Sequence, residues 1–341
     1  MKRFRLAIIG TGKISLVAHI PAALLTPLVD VVALIDPAIQ RAKKIASEFG
    51  LNIEIVPSLE DLKSKVDGAI IAAPNHMHAL LAKMCLRRGI SVLIEKPIAT
   101  SVQEGLELIE EEEKSGKKIA VGYCMRFYRN FILLKQLLEK DYFGRVESFA
   151  YQFGTPGGWS TYSNYILNRK NIGGGVLVVT GTHFIDRMLF LFGYPDDIRL
   201  LDDSLGGPEA NARMFLTFGK GEKKIRSYAH FSKTTKLFPG LVIQAEKGKV
   251  ILPDNNGKDL IFLPKDDPHL EVHLKSRNGQ VSNKSQYQLQ LEDFVSSCQV
   301  GTKPMVSCEE GLKSLELIED LYKKREPFPD NWYKARIRIS Q

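Results

Sequence analysis

Six short apolar runs divide the first third of the chain: Phe4–Ile9, Val31–Ile35, Asn52–Val56, Gly68–Ala73, Val92–Ile94 and Lys118–Gly122. Runs of this length with little polar alternation fit strands buried on both faces, as in a parallel sheet. Helical spacing fills several of the gaps. Leu16, Ala18, Ile20, Ala23 and Leu24 follow the first run, residues 79–88 the fourth, and residues 101–114 the fifth. Ser58 reads as the cap of another helix, ending before Asp67. The pattern is βαβαβ twice over, an α/β doubly wound parallel sheet of nucleotide-binding type over residues 1–123.

After Tyr123 the period changes. A helix is expected over 131–139, and residues 146–153 alternate apolar and polar, as an antiparallel strand does. Gly173-Gly174-Gly175 opens a helix running through Phe192. Strands are expected at 213–218, 224–231, 241–245 and 250–252, and two helices, 286–297 and 308–324, close the chain. Residues 124–341 therefore read as an α+β substrate and oligomerisation domain with a large, mostly antiparallel open sheet.

Composition adds bounds. A chain of 341 residues exceeds what one core usually serves, so two domains are expected. The net charge is +8, but the basic residues are spread along the chain. There is no Arg-rich arm and no basic patch interleaved with aromatics, so nucleic acid is not an expected partner. An anionic substrate or cofactor would suit the charge. Cys85, Cys124, Cys298 and Cys308 form no C-x-x-C pair, which fits reduced thiols in a cytoplasmic protein. The apolar run after the basic start is too short for a signal or a membrane span. His76 and His78 lie two apart and do not face one another on a helix, so no metal is expected.

Two stretches carry chemistry. Gly10-Thr11-Gly12-Lys13-Ile14-Ser15 lies between a strand and a helix, the context that a dinucleotide fingerprint requires. Gly10 allows the tight turn, and Gly12 lets the backbone approach a pyrophosphate at the helix N-terminus. Ser15 stands where Gly or Ala is usual. Asp36 ends the second strand, close to the spacing of about 20 residues at which a carboxylate meets the adenine ribose. That acid repels a 2′-phosphate, so NAD is expected rather than NADP; Asp36 also reads as a helix N-cap, with Pro37 at the first helical position. The other stretch is Val92-Leu93-Ile94-Glu95-Lys96-Pro97. Ligands bind beyond the carboxyl ends of parallel strands, and an amine there can exchange a proton with a substrate hydroxyl.

Taken together, these residues resemble the glucose–fructose oxidoreductase, inositol dehydrogenase and rhizopine-catabolism family. The likeness rests on Gly10-Thr11-Gly12, His19-Ile20-Pro21, Asp36, Pro74-Asn75-x-x-His78, Glu95-Lys96-Pro97, Gly122 with Arg126-Phe127, and Gly173-Gly174-Gly175 before Gly181-x-His183-x-x-Asp186. It implies a Rossmann domain, a C-terminal open-sheet domain that builds homodimers or homotetramers, and NAD(P)-dependent chemistry on a sugar, sugar nucleotide or cyclitol. It implies that Lys96 is catalytic, on a bond to Pro97 that is often cis in the family, with His183 as a second catalytic residue. Gly10, Thr11, Gly12, Lys13, Ile14, Asp36, Ala73, Pro74, Asn75, His78, Glu95 and Lys96 are the expected cofactor contacts. Tyr123, Arg126, Trp159, Tyr162 and Asp186 are the expected substrate contacts.

One departure stands out. Val179 occupies the position where many family enzymes carry a carboxylate four residues before the histidine. Thr180 or Asp186 could orient the ring instead. The departure also opens another reading, a non-catalytic dinucleotide-binding regulator on the same fold. A third, an NAD-using glycosidase, lacks the Lys96 signature.

Overall fold

The computed structural model describes residues 3–157, 172–204, 208–255, 257–275 and 284–329. Trp159 and Tyr162 lie outside the described residues. By their contacts the described residues form two compact units. One gathers 3–128, 172–173 and 284–316; the other gathers 129–157, 174–275 and 317–329.

The first unit is built on a six-stranded parallel sheet of β1 (Phe4–Ile9), β2 (Val29–Ile35), β3 (Glu54–Val56), β4 (Gly68–Ile71), β5 (Ser91–Ile94) and β6 (Ile119–Val121). Their order across the sheet is β3-β2-β1-β4-β5-β6, the doubly wound order that reverses between β1 and β4. Two apolar clusters cover its faces. One joins Ile9, Ile71 and Ile94 with Leu86 and Leu108, from helices α3 (His78–Arg87) and α4 (Val102–Ser115). The other joins Leu6, Ile8 and Leu93 with Ile20 of α1 (Ile20–Leu24), Ile45 of α2 (Ile39–Glu48) and Phe294 of α7 (Gln286–Val300). The Phe294 ring meets Phe4 edge-on, with centroids 5.9 Å apart. Ser101 caps α4 by accepting from the Glu104 amide, and Gly116 ends it in left-handed geometry. The helix expected after Ser58 is absent: residues 57–66 form bends, one turn and irregular chain, and the Ser58 hydroxyl bonds Asp61.

The second unit carries a nine-stranded mixed sheet, mostly antiparallel. It contains β7 (Val146–Gly154), β8 (Asp197–Asp202), β9 (Asn211–Phe218), β10 (Ile225–Ser232), β11 (Leu237–Ala245), β12 (Gly248–Pro253), β13 (Leu260–Pro264), β14 (Val272–Leu274) and β15 (Arg325–Pro327). The order is β14-β13-β12-β11-β7-β10-β9-β8-β15, with β7·β10 and β8·β15 parallel. Its core face packs against α5 (Arg129–Glu139) and α6 (Thr182–Phe192). Phe184 stacks on Tyr151 at 4.6 Å, and Phe192 on Phe149 at 4.8 Å. Buried Arg187 pairs with buried Asp254 at 3.0 Å, and the Tyr151 hydroxyl donates to the same carboxylate at 2.7 Å. Helix α8 (Cys308–Lys323) has residues in both units.

Glu112 shows how this packing couples to pH. Its carboxylate accepts from the Ile119 amide at 2.7 Å where β6 begins. Burial, with Glu309 nearby, pushes its pKa up from 4.5 to about 7. A raised carboxyl pKa favours the protonated fold, so the cost of ionisation is absent below pH 4.5, builds between 4.5 and 7, and is complete above 7. Glu112→Gln keeps an acceptor for Ile119 and removes the charge. It should stabilise the protein by about 1–3 kcal/mol at pH 8, from the size of the shift at 1.36 kcal/mol per unit, and by almost nothing near pH 4.5. Urea denaturation at the two pH values reads this directly, and equal stabilities at pH 8 would contradict it.

Candidate active site

The turn after β1 is shaped by two glycines. Gly10 has φ of +94°, and a Cβ there would lie 2.5 Å from the Ala72 carbonyl oxygen, so only glycine fits against β4. A Cβ on Gly12, by contrast, would meet nothing within 4 Å. The space above that backbone is open, as a pyrophosphate cradle requires. Ser15 suits the third position because its hydroxyl folds back and donates to the Gly10 carbonyl at 2.6 Å. Residues 15–19 form a π-helical turn before α1. Lys13 is exposed, and Ile14 is partly exposed.

At the end of β2, Asp36 is buried. Its carboxylate accepts from the Thr11 amide and the Thr11 hydroxyl, each at 2.7 Å, and from the Ala38 amide at 2.8 Å. A residue missed in the sequence reading completes the cluster. Arg41, on the first turn of α2, donates through Nη2 to both Asp36 oxygens at 2.7 and 2.8 Å. Burial works to raise the Asp36 carboxyl, but the Arg41 guanidinium with the Thr11 and Ala38 donors outweighs it, and the group sits below its ordinary value. The N-cap reading holds only in part: the Asp36 side chain does bond Ala38, but α2 starts at Ile39.

Lys96 follows β5 on a cis bond to Pro97 and is partly exposed. Neighbouring groups fix the turn beneath it. The buried Glu95 carboxylate meets His19 Nε2 at 2.8 Å, while its other oxygen accepts from the Lys96 amide at 3.2 Å. The His19 ring lies edge-on to Tyr287, with centroids 5.6 Å apart. Burial would raise the Glu95 carboxyl, but the bond to His19 and its charge, with Lys96 behind it, hold it below its ordinary value. His78, buried, spans the ends of two strands: Nδ1 lies 2.7 Å from the Pro97 carbonyl oxygen and Nε2 2.9 Å from that of Ala73. Burial lowers its pKa, and a neutral ring donates to one of these oxygens at a time. Its ring is thus committed to bracing the turn. Ala73, Pro74 and Asn75 are partly exposed, and the Asn75 amide donates to the Ile172 carbonyl at 3.0 Å.

Tyr123 is buried, and buried Arg126 pairs with Glu310 at 3.0 Å. In the second unit, the stretch ahead of His183 is a π-helical turn, residues 177–181, not a regular α-helix. Val179 and Thr180 are its partly exposed positions; His183, on the first turn of α6, is also partly exposed, whereas Asp186 is fully buried. The glycine run is held from below. A Cβ on Gly175 would fall 2.2 Å from the Glu209 carbonyl oxygen, and the Glu209 carboxylate accepts from the Gly175 and Leu177 amides and from the Tyr322 hydroxyl. Among the described residues, no group of three or more His, Cys, Asp or Glu is placed to hold a metal.

His19→Ala would leave the buried Glu95 carboxylate without its ring partner. Breaking one half of such a pair should cost about 2–4 kcal/mol of stability. The loss should shrink as acid protonates Glu95, because a lowered carboxyl pKa contributes stability above its unfolded value that disappears as pH falls through the folded one. Chemical denaturation at pH 7 and pH 4 measures both; a loss under about 0.5 kcal/mol at pH 7 would show that the pair holds nothing together.

Residues 4–123 match the oxidoreductase family, NAD-binding Rossmann fold, and residues 135–327 match the same family's C-terminal alpha/beta domain. The D-glucoside 3-dehydrogenase of Escherichia coli (strain K12) is 26% identical over 196 residues, covering 56% of this chain and 54% of that protein. The chain thus matches about half the length of that curated relative. The aldose-aldose oxidoreductase from Caulobacter crescentus, complexed with glycerol, has a TM-score of 0.84 at 21% identity, covering 95% of this chain and 97% of that one. The WlbA dehydrogenase from Bordetella pertussis, in complex with NADH and UDP-GlcNAcA, has a TM-score of 0.80 at 18% identity, covering 95% of each chain. Both structures share the fold. No helix among the described residues is long and apolar enough to cross a membrane. Matched in both halves and in chain order, this protein belongs to the GFO/IDH/MocA oxidoreductase family.

Proposed function

We propose that the protein is an NAD(P)-dependent dehydrogenase or ketoreductase acting on a secondary alcohol or ketone of a sugar, sugar nucleotide or cyclitol. The observation that carries this is the partly exposed Lys96 at the carboxyl edge of β5, on a turn fixed by the Glu95–His19 pair. Gly10, Gly12 and Asp36 lie at the ends of β1 and β2 in the same sheet, where a dinucleotide binds in a doubly wound fold. The open space above Gly12 suits a diphosphate, and the buried Asp36 carboxylate suits a ribose diol.

Bound there, the dinucleotide supplies the hydride acceptor or donor at nicotinamide C4. The chain's own groups handle the proton. In oxidation, the neutral Lys96 amine takes the substrate hydroxyl proton as the C–O bond becomes C=O; in reduction, the ammonium returns it. His183 is the second catalytic residue of the proposal. General acid–base catalysis of this kind contributes about 10²–10⁴-fold. A second reading, a dinucleotide-binding regulator without turnover, draws on Val179 at the position where family enzymes often carry an acid.

The test is a panel of polyols, cyclitols, aldoses and sugar nucleotides with NAD and NADP. Turnover on a member of the panel is expected. Lys96→Ala should then lower kcat at least a hundredfold with dinucleotide affinity within about threefold of wild type. Near-normal turnover in that variant would remove Lys96 from the chemistry. Dinucleotide binding with no turnover anywhere on the panel would favour the regulator.

A further inference from the structure

Five donor contacts already converge on the Asp36 carboxylate. Oδ1 accepts from the Ala38 amide and Arg41 Nη2; Oδ2 accepts from the Thr11 amide, the Thr11 hydroxyl and Arg41 Nη2. An ionised carboxylate offers about four lone-pair sites. A ribose diol would ask it for two more hydrogen bonds, so an existing donor has to yield. The Thr11 and Ala38 amides belong to the backbone, and Thr11 is fully buried. Arg41 alone among these donors stands on a long side chain with appreciable exposure, 37%, against 3% for the Asp36 side chain. Its Nε also reaches the Thr11 hydroxyl at 3.3 Å. The guanidinium thus lies over the carboxylate where the adenine ribose would dock.

We propose that Arg41 sets cofactor choice: it is displaced from Asp36 when a dinucleotide enters, and its guanidinium then meets a 2′-phosphate, so that the protein accepts NADP as well as NAD. The inference rests on reading the Gly10–Asp36 cluster as a dinucleotide site. Two opposed effects act at the ribose. Asp36 alone would reject a 2′-phosphate by charge repulsion. Arg41 neutralises that carboxylate before binding, and after displacement offers paired N–H donors to phosphate oxygens, a strong and geometrically specific contact. For NAD the arginine is only a competitor for the same two oxygens. Its removal should therefore move the two affinities in opposite directions, which a purely structural side chain would not do.

The experiment is isothermal titration of the full chain with NAD and, separately, NADP. The proteins are wild type, Arg41→Ala and Arg41→Lys, each checked for an unchanged far-UV circular dichroism spectrum. Wild type should bind both dinucleotides. Arg41→Ala should weaken NADP at least tenfold while NAD holds or tightens. Arg41→Lys, which keeps the charge but not the fork, should fall between them for NADP. Equal weakening of both dinucleotides, or an NADP-to-NAD affinity ratio within twofold of wild type, would overturn the role of Arg41 while leaving the dinucleotide site standing. A wild type that binds NAD alone would overturn it too. A wild type that binds neither would overturn the site itself, and this inference with it.

Discussion

The bond between His19 and Glu95 is the constraint on which the lysine turn depends. A carboxylate buried at the end of a parallel strand is expensive unless donors meet it. Here one oxygen takes the imidazole of His19 and the other the amide of Lys96. The arrangement satisfies the charge and fixes the backbone on which the amine stands. His78 lies between the Pro97 carbonyl of the same turn and the Ala73 carbonyl beyond β4, and its neutral ring donates to one of them at a time. Lys96 is left partly exposed above a buried, hydrogen-bonded base. A partly exposed amine on a hydrogen-bonded turn suits the proton exchange proposed for it.

At the ends of β1 and β2, the same logic works with the opposite balance. Asp36 takes five donor contacts, and Arg41, whose side chain is partly exposed, is the donor that the proposal displaces. Glu95 is bound by its neighbours on both oxygens, whereas the proposal for Asp36 has one of its donors give way to a ligand. Both carboxylates are buried, and both sit below their ordinary pKa despite that burial. They stay ionised at neutral pH because hydrogen-bonding neighbours offset the loss of water.

Much of this was legible in the chain, because buried parallel strands are written as continuous apolar runs. Each of the six runs of the first sheet became a strand, and the glycine turn and the Glu-Lys-Pro edge fell where strand order puts them. The helix expected after Ser58 failed because local capping chemistry was read without an apolar stripe to support it; Ser58 instead closes a turn with Asp61. Strands β8, β13, β14 and β15 went unread, being short or lacking clear alternation. The π-helical turn at 177–181 alters the spacing on which the comparison of Val179 with His183 relied, since regular 3.6-residue periodicity does not hold there. Nor does periodicity say which sheet an amphipathic helix covers, so Phe294 meeting Phe4 was invisible in the sequence. Arg41 was missed because the fingerprint asks only for an acid after the second strand. The available signal was a basic residue on the first turn of the helix that follows that acid.

The central claim is that Lys96 exchanges a proton with the reacting oxygen of the substrate. A crystal structure of the protein with NADH and a bound substrate or unreactive analogue addresses it most directly. The account predicts Lys96 Nζ within about 2.6–3.2 Å of the oxygen whose carbon faces nicotinamide C4. A bound complex in which another side chain holds that oxygen, with the Lys96 amine directed elsewhere, would contradict it.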